Sequence, residues 1–152
     1  VEGERVNVLQ GGRNQPLERH ISCDRQDNVA LLIAALRDSR KRGERDRTGT
    51  LLVLEGARAV EPLINVLHDP DPDLLERVIG ILGQIGDRRA VKPLIQCLKN
   101  PAPRVRVRAV QVLGGLGDIR ARPEVVRLYL DNNPQVRRAA ETAVWKLSDQ
   151  VK

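Results

Sequence analysis

The chain has 152 residues, 41% apolar and 30% charged, which suits one ordinary globular domain and excludes a disordered polyelectrolyte. It holds no Phe, one Trp (Trp145) and one Tyr (Tyr129), so its core has to be built from Leu, Val, Ile and Ala. The formal net charge of +6 is uneven: residues 1–86 sum to −2 and residues 87–152 to +8, which points to an acidic partner for the C-terminal half.

Residues 1–25 show no periodicity, and Gly3, Gly11, Gly12 and Pro16 mark them as an N-terminal arm, partly ordered, with one short piece over Val6–Gln10. From residue 26 onward the sequence repeats itself. Gly56-Ala57-Arg58-Ala59-Val60-Glu61-Pro62-Leu63-Ile64 is echoed by Asp87-Arg88-Arg89-Ala90-Val91-Lys92-Pro93-Leu94-Ile95, an offset of 31 residues. The same step takes Leu82 to Leu113, Gly86 to Gly117 and Ala109 to Ala140. Backwards, it takes Val60 to Val29 and Leu63 to Leu32. The repeat domain is therefore expected over 26–152, in four units: about 26–55, 56–86, 87–117 and 118–149.

Each unit reads as a helical hairpin. In the first helices Val60, Leu63, Ile64 and Leu67, then Val91, Leu94, Ile95 and Leu98, fall at i, i+3, i+4 and i+7 and share one helical face. Asp87 and Asp118 stand at expected N-caps, and Pro62 and Pro93 in or just beyond the first turn. His68-Asp69-Pro70-Asp71-Pro72, Lys99-Asn100-Pro101-Ala102-Pro103 and Asp131-Asn132-Asn133-Pro134 break the chain between helices. The second helices then carry Leu74, Val78, Ile81, Leu82 and Ile85, matched by Val105, Ala109, Val112, Leu113 and Leu116. Gly86 and Gly117 close them. Gly80, Gly83, Gly114 and Gly115 lie inside second helices, where close approach of a neighbouring helix would explain them. In the first unit Gly43, Arg47 and Thr48 replace apolar positions, so its second helix is expected to be short, irregular or a polar end cap. A lone hairpin buries too little to offset its ordering entropy, so stability has to come from stacking.

These residues resemble the HEAT-like repeats first described in phycobilin lyases. The third unit carries the pattern nearly whole: Ala90-Val91-Lys92-Pro93-Leu94-Ile95, then Val105-Arg106 and Ala109 through Leu113, Leu116, Gly117 and Asp118. The resemblance implies an all-α, right-handed α-solenoid of stacked hairpins, with the second helices lining the concave face. It also implies that the recurrent Arg106 and Arg137 form a structural ladder, pairing with acids across units.

The remaining polar positions of the last two second helices, Arg104, Arg108, Gln111, Arg138 and Glu141, are the expected partner-binding residues, with Trp145 either capping the array or anchoring a contact. Tyr129 is expected in the core with its hydroxyl at the edge. Cys23 and Cys97 are too far apart in sequence for a zinc or redox pair, and Cys97 is expected to be a buried free thiol. No P-loop, nucleophile elbow, dinucleotide fingerprint or metal-ligand cluster is present. Iron hydroxylases with related repeats use His-Glu pairs, and neither His20 nor His68 is followed by Glu.

The expectation is thus a non-catalytic scaffold or adaptor, without cofactor or metal, gripping an acidic protein on its Arg-rich concave face. A nucleic-acid-binding protein and an accessory subunit of a lyase or cofactor-maturation enzyme are the alternatives. No run of ~18 apolar residues suggests a membrane span, and a cytoplasmic location is expected.

Overall fold

The computed structural model describes residues 28–38 and 42–149; the expected arm over 1–25, with Cys23 and His20, lies outside them. Four antiparallel helix pairs follow in chain order. They are α1 (28–38) with α2 (Arg42–Glu55), α3 (Ala57–Val66) with α4 (Pro72–Ile85), α5 (Val91–Cys97) with α6 (Pro103–Leu116), and α7 (Arg122–Arg127) with α8 (Pro134–Asp149). Among the described residues there is no strand. No described helix is long and apolar enough to cross a membrane. The arrangement is an all-α stack of HEAT-like hairpins.

The junctions repeat as faithfully as the core. Asp69, Asn100 and Asp131, one step apart, each accept the backbone N–H two residues on, at 3.0, 2.9 and 2.8 Å. These turns deliver Pro72, Pro103 and Pro134 to the start of each second helix, where a missing N–H leaves nothing unsatisfied. Each of α4 and α6 ends in a left-handed glycine, Gly86 at φ 74° and Gly117 at φ 69°. The following Asp87 and Asp118 each take the N–H two residues on and open a single 3-10 turn into the next first helix. Pro62 lies deeper than its sequence position suggested, inside α3, because that helix starts directly at Ala57 without the 3-10 turn.

The second helices make the tightly packed layer. α4 lies on α6 and α6 on α8, whereas first helices meet the following unit mainly through its entry turn. The second helices thus form one continuous layer, the inner layer. Leu63, Leu94 and Val125 are fully buried at one repeat position, and Val78, Ala109 and Ala140 at another. Each large aliphatic among them is worth roughly 1.5–3 kcal/mol when fully buried.

α2 is neither short nor irregular. It runs unbroken for 14 residues, the length of α4 and α6. Leu52 is fully buried on it, and the buried Thr48 donates its hydroxyl to the Glu44 carbonyl at 2.8 Å, so a polar residue is accommodated without a break.

Candidate functional site

The Arg residues of the second helices have three different fates. Arg106, with 13% of its side chain exposed, is clamped: Nε and Nη2 donate to the two carboxylate oxygens of Asp131 at 2.9 and 2.8 Å. Its Nη1 donates to the Asn100 and Pro101 carbonyls at 2.8 and 3.1 Å. The Arg106 guanidinium, with help from the Asn133 N–H, holds the Asp131 carboxyl below its ordinary value. Arg137, one step on, donates to the Asp131 and Asn132 carbonyls at 2.6 and 3.3 Å, tying down the turn rather than reaching an acid. Arg104 forms an ion pair with Asp73 at the start of α4.

Arg108 is different. It is half-buried and lines a groove on the inner layer with Arg45 and Asp46 of α2, Arg77 and Gln84 of α4, and the backbone of Gly80. Gln111 faces the next junction, where it lines a small cavity with Ala139, Thr142, Ala143 and Lys146.

Arg138, Glu141 and Trp145 are not on that inner groove. A Cβ added at Gly114 would stand 2.9 Å from the Ala143 Cβ, so position 114 of α6 faces α8. Trp145 is the same position one step on, and with Arg138 and Glu141 at i−7 and i−4 it occupies the face that α8 turns away from α6. That face is the exposed end of the described array: Trp145 is 71% exposed. Tyr129, expected in the core, is 39% exposed, whereas Leu98 at the same repeat position is 4% exposed. The reason is that no following unit covers it among the described residues. Val126 and Leu130 beside it are exposed as well. The residues expected to form a single patch are therefore split: Arg104, Arg108 and Gln111 lie on the inner layer, and Arg138, Glu141 and Trp145 at the end.

Sequence reasoning passed over Arg77, which stands one 31-residue step before Arg108 and shares its groove. It lies in the half of the chain whose net charge is negative, which hid it. Cys97 is a buried free thiol, pushed up to about 11 by desolvation. Among the described residues no group of three or more His, Cys, Asp or Glu is placed to hold a metal ion.

The profile of the HEAT repeats family matches residues 60–145. No curated protein sequence matches the chain. The solved structure of human deoxyhypusine hydroxylase in complex with glycerol superposes with a TM-score of 0.70 and 24% identity over 88% of this chain, which spans 46% of the hydroxylase's length. The complex of CpcE and CpcF of phycocyanin lyase from Nostoc sp. PCC7120 gives a TM-score of 0.72 and 24% identity over 81% of this chain and 79% of that one. An engineered protein aligns at 0.53 and 15% identity over 80% of this chain and 62% of its own.

These likenesses correct the expectation of a non-catalytic scaffold that grips its partner on the concave Arg-rich face. Two of the solved structures with this fold are an enzyme and a lyase complex, so stacked hairpins give no ground for excluding a part in catalysis. The physical basis for the grip is weaker as well, because Arg104 already neutralises a carboxylate of its own fold. Nucleic-acid binding through the same residues loses the same cation. What the repeats, the junctions and a profile match over more than half of the sequence establish together is that this chain belongs to the HEAT repeat family.

Proposed function

We propose that the chain is an accessory subunit of a lyase or cofactor-maturation enzyme, seating a companion helical-repeat subunit on its exposed end. The observation that carries this reading is Trp145. Where Gly114 admits α8 to close packing on α6, the last described unit presents an indole. A large exposed aromatic is a side chain enriched at interface hot spots. Tyr129, Val126 and Leu130 extend the apolar surface, and Arg138 and Glu141 supply a rim of both signs.

Support for the companion comes from the likeness to phycocyanin lyase, solved as a complex of two chains, CpcE and CpcF. The lyase is the better guide of the two enzymes, because the sequence lacks the His-Glu pairs of the hydroxylases. In this reading the chain binds and positions, and the pair does the chemistry.

A photoreactive phenylalanine analogue placed at residue 145 tests it in cells of the source organism. Crosslinking is expected to recover one helical-repeat chain, and the purified pair is expected to carry a bilin or to transfer one to an acceptor protein. Trp145→Asp should abolish the pair and leave the helical circular-dichroism spectrum unchanged. A pair with neither pigment nor transfer activity, or one indifferent to Trp145→Asp, overturns the reading.

A further inference from the structure

The groove on the inner layer crosses α2, α4 and α6 and encloses about 320 Å³, a volume at the small end of organic-ligand sites. Its polar lining is Arg45, Asp46, Thr50, Arg77, Gln84 and Arg108, three guanidiniums against one carboxylate. Leu36, Ile81, Gly49 and Gly80 complete its lining.

Two of those guanidiniums set it apart from the rest of the inner layer. Arg104, Arg106 and Arg137 all have carboxylate or carbonyl partners. Arg77 and Arg108 are half-buried, yet among the described residues neither forms an ion pair or a hydrogen bond. A guanidinium presents five N–H donors in a rigid fork, and here they are open to an incoming acceptor. The two belong to one repeat position on neighbouring helices. Arg108 is moreover laid against Gly80, where a side chain would block it.

We propose that this groove binds a small organic dianion, one anionic group held by Arg77 and the other by Arg108. The shared chemistry is a pair of planar or tetrahedral oxyanions; Gln84 lines the same groove and can add a neutral donor. Asp46 disfavours a third negative charge at the α2 side. No groove residue belongs to the exposed end, so this inference stands without the companion subunit.

Titration calorimetry with a series of α,ω-dicarboxylates from succinate to sebacate, and with diphosphonates of matched length, tests it on the full chain. Saturable binding is expected to peak at the length that spans the two forks, at least ten-fold above butyrate. Arg77→Gln and Arg108→Gln should each lower affinity ten-fold or more, whereas Arg120→Gln, outside the groove, should not. The better of the two ligand series identifies the anion as carboxylate or phosphate. Gly80→Ala, which displaces the Arg108 guanidinium without removing a charge, should weaken binding too, with unfolding temperature showing the fold intact. Affinity that ignores ligand length, or falls equally with Arg120→Gln, overturns the proposal, as does the absence of saturable binding by any member of either series.

Discussion

The guanidinium of Arg108 lies on the bare backbone of Gly80: a Cβ at residue 80 would stand 2.6 Å from Nη2 and 3.2 Å from Nε. The obstructing atoms are the far end of a flexible side chain, so the clash is relieved by rotation rather than by moving a helix. Gly80→Ala is therefore expected to leave stability unchanged or raise it by up to ~1 kcal/mol through helix propensity, while the Arg108 Nε resonance shifts. Thermal unfolding and side-chain NMR read the two effects separately.

The other inner-layer glycines are expected to answer differently. At Gly114 a Cβ would meet the Ala143 Cβ at 2.9 Å and its Cα at 3.0 Å, so α6 and α8 would have to part. Gly114→Ala should destabilise by about 1–3 kcal/mol. At Gly115, one residue on, nothing stands within 4 Å, and Gly115→Ala should stabilise by about 0.5–1 kcal/mol. Urea unfolding of the two variants gives opposite signs if the close approach is real.

Removing the Asp131 carboxylate strands Arg106, of which only 13% of the side chain is exposed. Asp131→Ala should cost about 3 kcal/mol, and Arg106→Leu should recover part of it by removing the unpaired charge. Denaturant unfolding of the single and double variants measures this.

The same pair sets an acid limb. Because Arg106 holds the Asp131 carboxyl below its usual value, the folded state favours the ionised form. Its contribution is complete above the unfolded value of about pH 4 and is lost as pH falls through the lower folded value. Unfolding free energies of wild type and Asp131→Asn should therefore converge below about pH 4 and stay parallel above it. Asp118, held at about 2 chiefly by Arg120, is common to both proteins.

The fold was legible because the 31-residue step is carried by residues with one physical job each: aliphatics at i, i+3 and i+4, prolines at helix starts, glycines at helix ends. The binding residues were less so. Periodicity gives a side chain's position on its helix, but whether that side faces the groove, a carboxylate or open solvent depends on the neighbouring unit. Arg104 and Arg108 lie four residues apart on one helix face, yet one meets Asp73 and the other lines a groove. Trp145 and Gly114 share a repeat position, yet one is packed and the other bare because the described array ends between them. The polar α2 misled for the opposite reason: a buried hydroxyl bonded to its own helix needs no outside partner.

The third hairpin reaches both ways. Backwards, Arg89 takes the Ala57 carbonyl at 2.9 Å and Glu61 at 3.4 Å, and Arg104 takes Asp73; forwards, Arg106 takes Asp131. It acts as a keystone. Excising it would juxtapose hairpins that never evolved to match each other's charges, so the array cannot be shortened there by simple deletion, and unfolding should travel inward from its margins and reach this unit last.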